Sequence, residues 1–322
     1  MSAGVPSGRV IALSGGGGGA KLVAGLAQIV PDGRLTVIVN TGDDFEHLGL
    51  HISPDIDSVL YALGRRNDEA RGWGRDGETW NFMTSLRDLS TETWFQLGDK
   101  DLAVHVNRTW RLRLGRSLSD ITAEMCTSYG IGAQVLPMTD APVRTRVLTT
   151  EGELEFQRYF VERKCAPPVI GFDFPGADVA KPPPSAAPIC DDHWPSAVII
   201  CPSNPYVSIG PILSIKQWVD WLRLQKAPVV AVSPFIGGEA LKGPAAKMMR
   251  ELGLVPSTAS LAVFYGDLVD GWIIHCSDAE ELTALQAQGI RAIATNTIMR
   301  NFVDRTRLAS EVLQFATNFD SR

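Results

Sequence analysis

The sequence lacks several patterns that would assign it at once to a common class of protein. No apolar stretch approaches the roughly 20 residues of a membrane-spanning helix. The first apolar run, residues 10–13, is too short for the core of a signal peptide. No block of lysines and arginines occurs, and the formal net charge of −6 argues against non-specific nucleic-acid binding. We therefore expect a soluble, cytoplasmic protein that binds neither membranes nor nucleic acid.

Cysteine patterns that would indicate a zinc knuckle or a disulfide framework are also missing. The five cysteines are odd in number and form no Cys-x-x-Cys pair. What the chain does have is length and apolar content, with 322 residues of which 45% are hydrophobic. That is enough for one large core domain, or for a domain with a sizeable insertion.

The first 40 residues predict one strand–helix–strand unit. Residues 10–13 are apolar and short, as in a buried strand, and the glycine run that follows is typical of a turn. Residues 21–29 carry leucine and isoleucine on one helical face, and residues 35–40 form a second apolar run. A unit of this kind belongs to a parallel sheet, whose loops at the carboxyl ends of the strands are free to bind ligands.

Strand candidates return near the end of the chain and define the predicted architecture. We expect an α/β fold with a Rossmann-like, mainly parallel sheet built from residues 1–62 and 190–322. Residues 63–189 are predicted to form an inserted cap of helices and a β-hairpin, with hairpin strands at 143–149 and 154–160. The late strand candidates are residues 197–201, 228–232, 261–264, 271–274 and 290–294.

The glycine-rich segment 14–21 is the first candidate binding site. Five consecutive glycines before a helix let backbone amides approach a phosphate without interference from a Cβ atom, and the helix N-terminus favours anions. We predict phosphate contacts from Ser14, Gly15, Gly16, Gly17 and Lys21.

Two other interpretations of this loop differ in strength. Gly15-x-Gly17-x-x-Ala20 fits the dinucleotide fingerprint, so a nicotinamide dehydrogenase is an alternative, although a run of five glycines fits many patterns. A Walker loop is excluded, because the glycine spacing differs and Leu22 stands where a serine or threonine would bind metal.

Four aspartates follow the second predicted strand within a short distance. Asp43 and Asp44 come directly after the strand, and Asp55 and Asp57 lie at a predicted helix start behind Pro54. Capping of that helix would explain Asp55 or Asp57 taken alone. The group of four instead favours hard oxygen ligands for a magnesium ion (Mg2+) that shares phosphate oxygens. Asp55 and Asp57, together with Asp43 or Asp44, offer several ligands of this kind.

Together these motifs resemble the 2-phospho-L-lactate transferase family (CofD, or FbiA in mycobacteria) of deazaflavin coenzyme F-420 biosynthesis. The likeness spans nearly the whole chain, and its specificity comes from several motifs in a fixed order. They include SGGGGGAKL at 14–22, VNTGDD at 39–44, ISPDIDSVLY at 52–61, RGWG at 71–74, CPSNP at 201–205 and SIGPIL at 208–213.

The resemblance implies a specific reaction. A guanosine diphospho-donor carrying a three-carbon acid would transfer its phospho-acid unit to the ribityl hydroxyl of the deazaflavin Fo and release GMP. It also implies a homodimer and magnesium as cofactor, with Asp55 and Asp57 as the metal ligands. For that reaction Asp43, Asp44 and Asp57 are the catalytic candidates that could accept the hydroxyl proton. The nucleotide-side loop would include Asn204, Ser208 and Gly210, residue types that are also ordinary turn formers. A dehydrogenase that uses NAD(P) and a non-catalytic nucleotide-binding regulator are the alternatives. The sequence leaves open whether the acid is lactate, enolpyruvate or glycerate.

Aromatic residues in the predicted cap admit two interpretations. Trp73, Trp80, Trp94 and Phe95 could stack on a tricyclic deazaflavin, since their rings are large and apolar. Burial in the small core of the cap is the more ordinary role for each.

Overall fold

A computed structural model of the protein describes residues 8–89, 92–190, 195–241 and 243–319. The remaining residues, which belong partly to the predicted core and partly to the predicted cap, lie outside this description. The strands are β1 (Val10–Ser14), β2 (Leu35–Val39), β3 (Phe45–His47), β4 (Leu50–Ile52), β5 (Gln134–Pro137), β6 (Arg146–Thr149), β7 (Gly152–Glu155), β8 (Val169–Asp173), β9 (Ala197–Ile200), β10 (Val229–Val232), β11 (Phe235–Ile236), β12 (Glu239–Ala240), β13 (Gly271–His275) and β14 (Arg291–Thr295). The α-helices are α1 (Gly16–Leu26), α2 (Pro54–Leu63), α3 (Asn81–Asp88), α4 (Asp99–Arg113), α5 (Leu118–Ser128), α6 (Ala187–Cys190), α7 (Gly210–Ser214), α8 (Lys216–Leu224), α9 (Ala245–Glu251), α10 (Thr258–Tyr265), α11 (Glu281–Ala287) and α12 (Phe302–Thr317).

Seven parallel strands form the central sheet, in the order β14-β13-β10-β9-β1-β2-β5. β1 lies between β2 and β9, and Leu13 aligns with Ile38 on one side and Ile200 on the other. Alternate residues of β1 enter separate apolar clusters, because helices cover both faces of the sheet. The predicted α/β fold with a mainly parallel sheet is confirmed.

Most of the predicted central strands are present, and one is not. Residues 10–13, 35–40, 197–201, 228–232, 271–274 and 290–294 correspond to β1, β2, β9, β10, β13 and β14. Residues 261–264, predicted as a strand, lie in α10, which Ser257 caps by accepting a hydrogen bond from the Ser260 amide. That prediction is wrong because a short apolar run does not distinguish a strand from a buried helix segment.

The cap contains the predicted hairpin, and the region also contributes to the central sheet. The second hairpin strand lies earlier than the predicted 154–160, because Thr149 pairs with Gly152 across a two-residue turn, and residues 156–160 are helical. β6 and β7 pair antiparallel, and β8 adds a third strand that the sequence did not predict. β5, which also falls within 63–189, pairs with β2 at one edge of the central sheet. The core strands therefore come from three parts of the chain rather than two, whereas the division into core and cap stays a prediction. Within the described ranges, no helix combines the length and apolarity needed to cross a membrane.

Candidate active site

The glycine run forms the start of α1. β1 ends at Ser14, Gly15 caps the helix in an extended conformation, and α1 begins at Gly16, whose φ is +67°. Glycine adopts this φ at little cost, which explains one of the five glycines. The prediction of a turn followed by a helix from residue 21 is wrong, because tertiary packing overrides the low helix propensity of glycine.

Close packing against the loop after β9 explains why two further positions of the run are occupied by glycine. A Cβ on Gly15 would lie 2.6 Å from Cβ of Ser208 and 2.8 Å from a carboxylate oxygen of Asp55. A Cβ on Gly19 would lie 2.6 Å from Oγ of Ser203. The missing side chains let the end of β1, the start of α2 and the loop after β9 meet at one point, which is the carboxyl edge of the sheet.

The other residues of the predicted phosphate loop differ in their surroundings. Gly17 is exposed and Gly16 is half-buried, and the Gly16 amide already donates a hydrogen bond to the Asp55 carboxylate. Ser14 is fully buried, and its hydroxyl has no hydrogen-bond partner within the described part of the chain. Lys21 lies half-buried on α1. Phosphate contact by these residues stays a prediction.

Two of the four aspartates meet around one asparagine. Asn40 follows β2 directly, and its Nδ2 lies 2.9 Å from Oδ1 of Asp43 and 2.9 Å from Oδ2 of Asp55. The same amide lies 3.1 Å from the carbonyl of Val207, which ties the loop after β9 to the cluster. A single neutral side chain therefore holds two carboxylates together at the carboxyl ends of β1 and β2.

Asp44 lies beside Asp43 and Asp55, and only one of its two carboxylate oxygens forms hydrogen bonds among the residues described. Its Oδ2 accepts a hydrogen bond from Oγ of Ser53 at 2.9 Å and lies 3.0 Å from Nε2 of His51. Its Oδ1 is buried and has no hydrogen-bond partner among the residues described. A buried carboxylate oxygen without a partner costs free energy, which is characteristic of a position prepared for a cation or a ligand.

The pKa values of Asp43 and Asp55 show that the charges of these two buried carboxylates are not fully compensated either. Burial raises the pKa of Asp43 well above its ordinary value, and the negative charge of Asp55 raises it further, against the hydrogen bond from Asn40. Burial likewise raises the pKa of Asp55 to about 6, although the hydrogen bonds from Asn40 and Gly16 lower it. The charges of these carboxylates therefore repel each other in a dry environment. We name Asp43, Asp44 and Asp55 the edge cluster.

Asp57 does not join the edge cluster. Residues two apart on a helix point roughly 200° away from each other, so Asp55 and Asp57 leave α2 in different directions. Both carboxylate oxygens of Asp57 accept hydrogen bonds from the Arg108 guanidinium, one of them at 3.1 Å. Arg108 is itself fully buried. The structure thus separates the two aspartates that were predicted as joint metal ligands, and the metal role of Asp57 stays an untested prediction.

Asp57 instead belongs to a second set of buried polar groups on α2 and α4, which we name the paired cluster. His105 has one ring nitrogen 3.7 Å from Asp57 and the other 3.5 Å from Asp101, and Tyr61 donates a hydrogen bond to Asp101. Burial leaves the pKa of Asp57 above its ordinary value, although Arg108 and His105 oppose this rise. In this cluster each carboxylate therefore has a cationic or hydrogen-bonding partner.

Both clusters offer oxygen atoms, but only one of them suits a magnesium ion. Ligand atoms of Asp57, Asp101 and His105 lie within 4.8 Å of one another. The guanidinium of Arg108 already provides the positive charge for Asp57 there. The edge cluster has only oxygen donors, raised carboxylate pKa values and an unpartnered buried oxygen. Magnesium is typically held by one or two carboxylates together with substrate phosphates, so the edge cluster fits it better.

The loop after β9 supplies packing at this edge. Asn204 uses its Oδ1 to accept hydrogen bonds from the amides of Tyr206 and Val207 and so caps the short helix Pro205–Ile209. Ser208 is buried against Gly15, and Gly210 is buried at the start of α7. Of the three predicted nucleotide contacts, the structure brings Ser208 to the edge cluster. Nucleotide binding by all three stays a prediction.

Several residues of the site were not predicted from the sequence. Asn40, which joins Asp43 to Asp55, could have been found, because it directly follows a predicted strand. His51, which bonds Asp44 from β4, was not identified either. No local sequence pattern indicates a role for Arg108, because its partner Asp57 lies 51 residues away in the chain.

Comparison with known proteins decides the family. The sequence model of the family described as 2-phospho-L-lactate transferase CofD matches residues 10–312. The chain belongs to the CofD family. A 2-phospho-L-lactate transferase of Methanopyrus kandleri is 42% identical over 311 residues, which cover 95% of this chain and 97% of that protein. A phosphoenolpyruvate transferase of Kitasatospora aureofaciens is 36% identical over 315 residues, covering 96% and 98%.

Solved structures agree with a CofD-type fold. A crystal structure of a Bacillus halodurans protein of the UPF0052 family matches with a TM-score of 0.62 at 15% identity, covering 96% of this chain and 99% of that one. At that identity the match shows the fold alone. Membership in the CofD family makes the chain a transferase and ties it to coenzyme F-420 biosynthesis. The alternatives of a nicotinamide dehydrogenase and a non-catalytic regulator are therefore not retained.

Proposed function

We propose that this transferase moves a phospho-three-carbon-acid unit from a guanosine diphospho-donor to the ribityl hydroxyl of Fo, with magnesium as cofactor and GMP as the released product. The observation that carries the proposal is the edge cluster, where Asn40 holds Asp43 and Asp55 beside the start of α1 in a chain of the CofD family. Buried carboxylates that repel each other next to a helix N-terminus form a suitable place for a divalent cation and a diphosphate.

Asp43 and Asp55 are the residues that would hold the magnesium ion, with Asp44 beside them. When bound, the ion would neutralise charge on the donor diphosphate and on the phosphorus centre. Gly17, exposed in the first turn of α1, offers a backbone amide and the positive end of the helix to the same phosphates. Lys21, further along α1, is the proposed side-chain cation for them.

Positioning is the main task of the protein in this reaction. Phosphoryl-type transfer depends on alignment and electrostatic stabilisation more than on a strong base. The hydroxyl proton of the acceptor is proposed to pass to Asp44 of the edge cluster, whose Oδ1 is buried and has no hydrogen-bond partner among the described residues. The low exposure of this cluster also keeps water away from the phosphorus centre.

The identity of the acid is open to direct measurement. The relatives include both 2-phospho-L-lactate transferases and phosphoenolpyruvate transferases at comparable identity. Purified protein is incubated with magnesium, Fo and the guanylyl-activated forms of lactate, enolpyruvate and glycerate, separately and in competition. Mass spectrometry should then detect GMP and a deazaflavin linked by a phosphodiester. The absence of both products with every donor would refute the proposal.

The expected assembly and location follow from the same family likeness. We propose a homodimer in the cytoplasm. Light scattering coupled to gel filtration measures the mass in solution, for which the chain contributes 34.9 kDa. A mass near that of one chain would contradict the dimer.

A further inference from the structure

Two buried threonine hydroxyls beside the edge cluster form no hydrogen bond with the described residues. Thr41 and Thr145 are each 1% exposed, and the hydroxyl of each lacks a partner there. Other buried threonines use their hydroxyls, since Thr109, Thr122 and Thr139 donate to backbone carbonyls. A buried hydroxyl without a partner costs free energy. A polar ligand that binds both hydroxyls would explain why the chain keeps them.

The two threonines come from segments that lie side by side. The Thr145 amide donates to the Gly42 carbonyl at 2.8 Å, and a Cβ on Gly42 would lie 2.5 Å from the hydroxyl oxygen of Thr145. The Thr145 hydroxyl therefore lies against the residue that follows Thr41. Asn40, which precedes Thr41, is the residue that holds the edge cluster together. Both hydroxyls thus lie at the border of the proposed transfer site.

A guanidinium at the same place has no acidic partner among the described residues. Arg144 is half-buried, and its Nη1 donates to the Thr41 carbonyl at 3.1 Å and to the Val143 carbonyl at 3.3 Å. Its Nη2 and Nε form no hydrogen bond within the described ranges. The Thr41 carbonyl also accepts a hydrogen bond from the Asp44 amide at 3.2 Å. Arg144 therefore places a positive charge on the turn that carries the edge cluster.

The chemistry of these groups suits a carboxylate. The planar fork of a guanidinium matches the two oxygens of a carboxylate, and a threonine hydroxyl can donate to either oxygen. The proposed donor carries such a group close to its reacting centre. In a 2-phospho acid the carboxyl group is attached to the carbon that bears the phosphoester oxygen. A phosphorus held at the edge cluster therefore brings a carboxylate to the border of that cluster.

We propose that Arg144, with the hydroxyls of Thr41 and Thr145, binds the carboxylate of the three-carbon acid. The inference rests on the proposed function and adds a subsite to it. The carboxylate stays on Arg144 while the phosphorus–oxygen bond to GMP breaks, the bond to the ribityl oxygen forms and the hydroxyl proton passes to Asp44. Lactate, enolpyruvate and glycerate all carry this carboxylate, so the subsite selects acids as a class.

Binding of the donor, compared with binding of GDP, tests this assignment, because GDP has the nucleotide and lacks the acid. Isothermal titration in the presence of magnesium compares the wild type with Arg144→Met and Arg146→Met. Arg146 is the matched control on β6, where it pairs with Glu153 and Glu155. Arg144→Met should weaken binding of guanylyl-activated lactate about 30-fold and leave binding of GDP unchanged. Arg146→Met should bind both ligands as the wild type does.

Thr145→Val gives a second readout that a purely structural role would not produce. The substitution keeps the shape of the side chain and removes the hydroxyl. It should weaken binding of guanylyl-activated lactate about fivefold and leave binding of GDP unchanged. The free energy of unfolding without ligand should not fall, because the lost hydroxyl has no partner among the described residues. In turnover, Arg144→Met should raise the KM for the donor and leave the KM for Fo unchanged.

Several results would overturn the inference. Equal weakening of donor and GDP binding in Arg144→Met would show that this arginine acts on the nucleotide or on the turn of the edge cluster. Donor binding at the wild-type level in Arg144→Met would also refute the subsite, as would a wild-type protein that binds GDP and none of the donors. If the wild type binds the donors and forms no product, the proposed transfer fails, and the binding ratios of the variants still decide the role of Arg144.

Discussion

The edge cluster and the paired cluster both contain buried aspartates, but the electrostatic surroundings of these aspartates differ. Asp55 and Asp57 are both buried and are only two residues apart on α2. Asp57 is compensated by the Arg108 guanidinium, whereas burial is the strongest influence on the pKa of both Asp43 and Asp55, and the groups that oppose it are neutral hydrogen-bond donors. Buried charge that is paired stabilises a fold only weakly, and buried charge that is unpaired is costly. The unpaired set is therefore the one that a binding role would explain.

The largest expected effect comes from removing the cation of the paired cluster. Arg108→Met leaves Asp57 buried without its partner and should lower the free energy of unfolding by about 3–5 kcal/mol. Urea unfolding measures this change. The control is Arg300→Met, whose guanidinium is exposed in its ion pair with Asp304, so that its loss should leave the free energy of unfolding close to that of the wild type.

Combining the change with Asp57→Leu removes both charges. The double variant should be more stable than Arg108→Met alone, since no unpaired charge is left inside. A double variant as unstable as the sum of the two single variants would show that the pair acts through packing instead.

In the edge cluster, the corresponding substitution should impair activity without destabilising the fold. Asp55→Asn keeps the shape of the side chain but removes a proposed magnesium ligand, so the transfer rate should fall more than about 100-fold. Asp178→Asn, at an exposed position, is the control and should retain the wild-type rate. Magnesium should raise the unfolding midpoint of the wild type and of Asp178→Asn, and not that of Asp55→Asn. Full activity in Asp55→Asn would remove this residue from the metal site.

The same variant should change the pH dependence of stability. The pKa of Asp55 is about 6 in the folded protein, above its unfolded value of about 3.9. Between these values the folded state holds a proton that the unfolded state has lost, so this group lowers stability as the pH rises. In metal-free buffer, Asp55→Asn should therefore equal the wild type near pH 4 and exceed it by about 1–3 kcal/mol at pH 7. A constant difference across this range would contradict the raised pKa.

The smallest expected effect lies at the margin of the paired cluster. Tyr61→Phe removes the hydroxyl that donates to Asp101 and should lower the free energy of unfolding by about 1–2 kcal/mol. Because Asp101 keeps its contact with His105, the transfer rate should be unchanged. A large loss of transfer activity in this variant would mean that the two clusters are functionally coupled.

The sequence predicted what depends on local pattern and on chain order. Apolar runs located six of the seven central strands, and the four neighbouring aspartates were predicted as one group, of which Asp43 and Asp55 meet at Asn40. The different directions of Asp55 and Asp57 also follow from helical phase, but the aspartates were grouped by proximity in sequence. Arg108 could not be assigned, because a contact across 51 residues depends on how α4 packs on α2. The start of α1 was missed for a related reason, since packing rather than propensity makes the glycine run helical.

Gly15 forms hydrogen bonds with a segment of the chain that is synthesised much later than Gly15 itself. Its amide and carbonyl both bond to the hydroxyl of Ser203, 188 residues later in the chain. β1 likewise needs β9 as a neighbour in the sheet. During synthesis, the aspartates that follow β2 are therefore complete long before the segment that closes the site around them. The site can therefore close only after residue 203 has been made, and the loop entropy of so distant a contact opposes this closure.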